Sequence, residues 1–154
     1  IFLDSNDMEA QVLRLQETYA RIEAGEARWE CEDCDDADVV LVGYGIVSRI
    51  LHSAAQEARR QGMKVGVFRP RTLWPFPAAP LRELAGRVGA LLVVELSNGQ
   101  MLDDVRLAVG ERCPIAFLNR LGGNVPENKD VLAEVAAILS DAQAPAAGKE
   151  ASRS

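Results

Sequence analysis

The chain has 154 residues, 48% of them hydrophobic and 26% charged, with a formal net charge of −6. These values fit a globular domain with a buried core and exclude disorder, a collagen-like repeat or a coiled coil for the chain as a whole. The negative charge, with Lys and Arg scattered along the sequence, argues against a nucleic-acid partner, and no apolar stretch approaches the roughly 20 residues of a membrane span.

The sequence opens Ile1-Phe2-Leu3-Asp4-Ser5, without an initiating Met and without the charged-then-apolar order of a signal peptide, so a cut inside a longer protein is expected. Three cysteines are an odd number in a chain large enough to stand without disulfides. They favour a reducing compartment, and a cytoplasmic location is expected. Met8, Val12, Leu15, Tyr19 and Ile22 recur at alternating steps of four and three, which predicts a helix with one narrow apolar stripe. That stripe can pack on the domain's own core or on another part of a longer protein. Gly25 is expected to end the helix.

Arg28 to Glu32 alternates polar and apolar residues like a half-buried edge strand, and the acidic run Asp33 to Asp38 reads as a turn. Strand and helix then alternate. Val39–Val42 predicts a buried strand, Ile46–Gln61 a helix closed by Gly62, and Val65–Phe68 a second buried strand. A loop with Pro70, Pro75, Pro77 and Pro80 leads to a short helix at Leu81–Val88, and Leu91–Val94 predicts the third buried strand. A helix follows Asn98-Gly99, with Asp103 and Asp104 in its first turn, where negative charge suits the dipole. Ile115–Leu118 predicts a fourth buried strand, Gly122-Gly123 a loop and Val131–Leu139 the last helix. Residues 1–27 are therefore expected to form a linker helix, 28–139 the domain and 140–154 a disordered tail. The alternation predicts an α/β domain of three α/β/α layers, Rossmann-like, around a mostly parallel sheet.

In such sheets ligands and partners meet the loops at the carboxyl ends of the strands. Gly43-Tyr44-Gly45 sits where a phosphate-binding turn would, but Ser48 occupies the position of the third fingerprint glycine and no acidic ribose ligand follows the second strand. A tight turn that needs small residues accounts for it. Trp74-Pro75-Phe76-Pro77 is a rigid aromatic loop, either the lid of a satellite core or an interface anchor. It and the segment Glu95 to Gln100 both follow parallel strands at one sheet edge, so they are expected to lie side by side as one patch. Glu95 itself, closing an apolar strand, is a candidate acid or base without an evident partner. His52 falls on a polar helix face, away from any nucleophile. Cys31-Glu32-Asp33-Cys34 has metal-ligand spacing but lacks the further ligands of a closed site, and its acidic flanks oppose thiolate formation, so no metal is expected there.

The run Asp36 to Gly45, together with Gly62 to Pro77, resembles the core-domain signature of 2-oxoacid:ferredoxin oxidoreductases, and Val94 to Met101 and Gly122-Gly123 match the family's later loops in order. The opening motif is similar also to the C-terminal domains of transketolase and of the pyruvate dehydrogenase E1 β chain. Trp74-Pro75-Phe76-Pro77 and Asn98-Gly99-Gln100-Met101 are more discriminating and point to the 2-oxoglutarate or 2-oxoisovalerate type. The resemblance implies a transketolase-C-terminal-like, five-stranded mixed sheet with Arg28 to Glu32 as its antiparallel edge.

It also implies a whole enzyme that decarboxylates a 2-oxoacid on thiamine diphosphate with magnesium, forms an acyl-coenzyme A and passes electrons through iron–sulfur clusters to ferredoxin. None of these cofactors is expected on this piece, and no catalytic residue carries over. The residues it assigns are interface and loop positions, namely Gly43, Tyr44, Gly45, Trp74, Pro75, Phe76, Pro77, Glu95, Asn98, Gly99 and Gln100. The expected partners are the other domains and subunits of the oxidoreductase, ferredoxin through the whole enzyme, and a second copy in a homodimer. Two rivals stand beside this reading, a stand-alone nucleotide-binding module and a non-catalytic interaction domain.

Overall fold

A computed structural model describes residues 4–143; the remaining residues, including most of the expected tail, lie outside the described residues. The elements are α1 (Ser5–Glu26), β1 (Trp29–Glu32), β2 (Val39–Val42), α2 (Gly45–Arg60), β3 (Val65–Pro70), α3 (Ala78–Ala85), β4 (Ala90–Glu95), α4 (Gln100–Val109), β5 (Ile115–Asn119) and α5 (Asn128–Gln143). The strands form one five-stranded sheet in the order β1-β3-β2-β4-β5. β1 runs antiparallel to β3, and the remaining pairs are parallel. This is the expected mixed sheet with an antiparallel edge.

Strand composition explains the order of burial. β2 and β4 are apolar at nearly every position because both their faces are covered, and every residue of the two strands is buried. One face packs on α2 and α5 through Leu51, Ala58, Leu92, Val131 and Val135. The other packs on α3 and α4 through Phe68, Leu81, Leu84, Val93 and Val105. β5, expected to be buried, is only half-buried except at Leu118, because it forms the far edge of the sheet and has a single strand neighbour.

Three helices differ from expectation, α3 by starting three residues early, at Ala78, and ending at Ala85 where Leu81–Val88 was expected. α5 starts at Asn128 and continues to Gln143, so Ser140 to Gln143, assigned to a tail, are helical, and Ser140 Oγ donates to Ala136 O at 2.8 Å. α1 runs through Gly25 to Glu26. Asp4 caps it, its Oδ1 accepting from Asn6 N at 2.8 Å and Asp7 N at 3.3 Å. No residue of α1 is buried, so its apolar stripe does not pack on the domain's own core.

The sheet order corrects one further expectation. β3 and β4 are not neighbours, because β2 lies between them. The Trp74 loop and the Glu95 segment therefore follow strands that are not neighbours, while Phe76 of the first loop packs in the same cluster as Met101 and Leu102 after the second.

Candidate functional site

The chain leaves β2 through α2 toward β3 on one side, and β3 returns through α3 to β4 on the other side of β2. The switch point of the sheet thus falls between the turn Gly43-Tyr44-Gly45 and the segment Leu96 to Gly99, and in open α/β folds this is the crevice where ligands bind. Here it is packed. A Cβ on Gly43 would stand 2.6 Å from Leu51 Cδ1 and 3.2 Å from Val94 O, so this glycine allows helix α2 to close onto the sheet. Its amide donates to Phe68 O at 3.4 Å and is not free for a phosphate. Tyr44 lies half-buried against the α3/α4 core, and Gly45 opens α2 in an exposed position.

Glu95 is fully buried at the carboxyl end of β4. Its Oε2 accepts from the amide of Met101 at 2.9 Å, so the carboxylate caps the first turn of α4, where the helix dipole favours negative charge. Its Oε1 and the hydroxyl of Ser97 are buried without a hydrogen-bond partner. The segment around it is tied to β5 by Arg120 N to Glu95 O at 3.3 Å and by Asn119 Nδ2 to Ser97 O at 3.0 Å. Gly99, with φ of 102°, makes the left-handed turn into α4. Asn98 and Gln100 are exposed, and the amide of Asn98 donates to Gln100 Oε1 at 3.0 Å. Among the described residues the side chain of Glu95 has the amide of Met101 as its hydrogen-bond partner and no acid or base beside it, which is the geometry of a helix cap.

The loop after β3 divides its aromatic residues between two roles. Phe76 packs on the α3/α4 core, Pro75 and Pro77 are buried, and the Trp74–Pro75 peptide is cis. Trp74 stays 58% exposed, and its ring meets Tyr19 of α1. The loop is held to the start of β1 by Arg71 N to Arg28 O at 2.8 Å and by Arg28 N to Thr72 Oγ1 at 3.0 Å. Between the end of α1, this loop and helices α3 and α4 lies a cleft of about 510 Å³, lined by Glu23, Trp74, Phe76, Arg82, Asp104 and Leu107. A second cleft of about 630 Å³, lined mainly by Val39, Ala90, Ile115, Ile138 and Leu139, lies at the opposite, amino edge of the sheet.

The exposed large apolar side chains are distributed unevenly. Ile46, Leu73, Trp74, Leu96, Leu121 and Val125 stand just after β2, β3, β4 and β5, Ile46 in the first turn of α2 and the others on the three loops that follow β3, β4 and β5. Met8, Val12, Leu13, Leu15 and Tyr19 add the apolar side of α1. The sequence motifs brought attention to Trp74 and spanned Leu96, and did not single out Ile46, Leu121 or Val125. Their common position, immediately after an apolar strand, was the available signal.

Among the described residues no group of three or more His, Cys, Asp or Glu side chains could hold a metal ion. His52 Nδ1 lies 2.6 Å from Glu32 Oε2 on the face of the edge strand. Cys31 is exposed, Cys34 is buried, and both are free thiols. The acidic flanks do not dominate this pair as expected. A hydrogen bond from Cys34 holds the Cys31 thiol below its usual range, with Arg87 adding to the effect, and these outweigh burial and the charge of Asp35.

A family model described as the pyruvate:ferredoxin oxidoreductase core domain II matches residues 37–131. The ketoisovalerate oxidoreductase subunit VorB of Methanothermobacter thermautotrophicus is 46% identical over 141 residues, which are 92% of this chain and 40% of that protein. The chain thus spans about two fifths of the length of this relative. Among solved structures, the 2-oxoglutarate:ferredoxin oxidoreductase of Magnetococcus marinus, with 2-oxoglutarate, coenzyme A and succinyl-CoA bound, superposes with a TM-score of 0.79 at 18% identity over 90% of this chain and 24% of that one. A split-gene transketolase, described as an inactive β4 tetramer, superposes with a TM-score of 0.63 at 21% identity over 73% of this chain and 41% of its own. At such identities the two structures speak for the fold alone, and that fold is the transketolase-C-terminal-like arrangement expected from the sequence.

Proposed function

The chain belongs to the pyruvate:ferredoxin oxidoreductase core domain II family, and on that premise we propose that it is part of the core subunit of a 2-oxoacid:ferredoxin oxidoreductase, in which this domain serves assembly and subunit contacts. The whole enzyme oxidatively decarboxylates a 2-oxoacid to an acyl-coenzyme A and delivers the electrons to ferredoxin. The ketoisovalerate relative favours a 2-oxoisovalerate-type substrate over pyruvate.

Thiamine diphosphate, magnesium and the iron–sulfur clusters belong to other domains or subunits in this reading. In support, the described residues offer no group of three metal-ligating side chains, and the amide of Gly43 is engaged by Phe68. The same engagement weighs against a stand-alone nucleotide-binding module. The partners are the neighbouring domains and subunits, with a second copy of the subunit as a further one.

The observation that carries the assembly role is the apolar rim. Six large exposed side chains gather at one sheet edge, five on its loops and Ile46 in the first turn of α2, and the exposed apolar side of α1 adds five more. Trp74 supplies the aromatic area typical of an interface anchor. The test restores the full-length subunit and introduces Trp74→Ala and Leu121→Ser separately. Association with partner subunits in sedimentation experiments should weaken by about tenfold or more, while the isolated chain keeps its melting temperature. Normal assembly with a large loss of domain stability would refute the reading.

A further inference from the structure

We propose that Cys31 and Cys34 form a redox-active dithiol that exchanges with external disulfides, Cys31 as the attacking sulfur and Cys34 as the resolving one. The pair lies at the end of edge strand β1, apart from the carboxyl-edge rim, and three features shape the turn between the two thiols.

Asp33, between them, has φ of 52°, the left-handed value that turns the chain back on itself within one residue. Gly66 lies directly beneath this turn, where a Cβ would stand 2.8 Å from Asp33 O and 3.0 Å from Cys34 Cα. The absence of a side chain lets the turn settle on the sheet and pushes Cys34 into the core. Arg59 then fixes the turn from outside, donating to Asp33 O at 2.8 Å, to Asp36 Oδ1 at 2.6 Å and to Val65 O at 2.8 Å.

The electrostatics suit an attacking sulfur on the exposed side. Of the acidic neighbours, Glu30 is paired with Arg69 and Arg71, Glu32 lies against His52, and Asp33 and Asp36 are paired with Arg59, which leaves Asp35 as the acid whose charge acts against a Cys31 thiolate. Cys34 Sγ donates to the backbone, with Val67 O at 3.3 Å and Glu32 O at 3.5 Å. The neighbouring Cys31 and burial hold the Cys34 thiol well above its ordinary range. An accessible sulfur with thiolate character beside a buried, protonated one is the arrangement in which the first attacks and the second resolves.

The exchange balances without any other reactant. The Cys31 thiolate attacks one sulfur of an external disulfide, forming a mixed disulfide and expelling a thiolate, which takes up a proton. Cys34 then loses its proton to the solvent and attacks Cys31 Sγ. The second external thiol leaves, and a Cys31–Cys34 bridge remains. Two electrons pass from the dithiol to the external disulfide, and the reverse reaction with a thiol restores both cysteines.

The test uses the full chain carrying Cys113→Ser, so that the third thiol does not contribute, equilibrated natively with mixtures of oxidised and reduced glutathione and then acid-quenched. Intact mass should show loss of two hydrogens with no retained glutathione, and peptide mapping should find the Cys31–Cys34 bridge. With Cys34→Ser added, one glutathione should stay on Cys31. With Cys31→Ser added, modification of Cys34 should slow by about tenfold or more. A chain that stays fully reduced in excess oxidised glutathione, or that accumulates adducts without closing the bridge, overturns the proposal without recourse to the variants at the pair.

Discussion

Tyr19 of helix α1 and Trp74 of the loop after β3 meet edge to face, their ring centroids 5.7 Å apart and their planes at 84°. The pair links a helix with no buried residue to the rest of the domain. Such aromatic pairs contribute about 0.5–1.5 kcal/mol beyond their buried area. Trp74→Ala should therefore release α1 while leaving the sheet intact. Limited proteolysis should cut within residues 5–26 sooner, and the main unfolding midpoint should stay nearly unchanged; a large fall in that midpoint would place Trp74 in the core.

Glu95→Ala should destabilise the domain by about 1–3 kcal/mol in urea titration, because the amide of Met101 loses its acceptor in a buried place. Loss of volume next to Gly99 adds to this. A variant as stable as the parent would mean that water replaces the carboxylate at the start of α4.

Gly66→Ala should cost about 1–3 kcal/mol, since the added methyl group meets backbone atoms of Asp33 and Cys34, which cannot turn away as a side chain could. Gly25→Ala has open space around it and a helical position, and should leave stability unchanged or raise it by about 0.5–1 kcal/mol. Parallel denaturation of the two variants checks the contrast.

Acid should unfold the domain partly through Asp36 and Glu30. The hydrogen bond from Arg59 holds the Asp36 carboxyl below its ordinary value of 3.8, and Arg71 followed by Arg69 does the same for Glu30 below 4.5. A carboxylate whose pKa is depressed by folding contributes stability that is complete above its unfolded pKa and is lost as the pH falls through the folded one. The urea midpoint should thus hold near neutrality and drop as the pH passes below the ordinary carboxylate range. Asp36→Asn should flatten that drop; an unchanged profile would show that the Arg59 pair carries none of it.

The isolated chain should show no 2-oxoacid oxidation with methyl viologen as acceptor, no saturable binding of NAD, ATP or coenzyme A, and no stoichiometric zinc or iron by elemental analysis. The described residues bring together no metal-ligating group of three to support such sites. Turnover by the purified chain would show that the reaction centre lies within it.

Most of the element order was legible in the sequence, because buried parallel strands need unbroken apolar runs and their crossover helices need one apolar face. Val39–Val42 and Ala90–Glu95 show the first signal and Gly45–Arg60 the second. The family motifs also pointed to the sheet type and to its antiparallel edge. Sequence could not fix which strands are neighbours, since a crossover of given length can return on either side of its parent strand. Only the folded chain puts β2 between β3 and β4, so that the Gly43 turn stands between the strand that leads to Trp74 and the strand that ends at Glu95. Nor could periodicity say what covers an apolar stripe. Met8, Val12, Leu15 and Tyr19 repeat like a core-facing helix, and tertiary packing leaves them exposed. The partnership of Cys31 and Cys34 was decided the same way. Their spacing was plain, but the turn at Asp33, the missing side chain of Gly66 and the pairing of nearby acids with Arg59, Arg69 and Arg71 come from contacts between residues far apart in the chain.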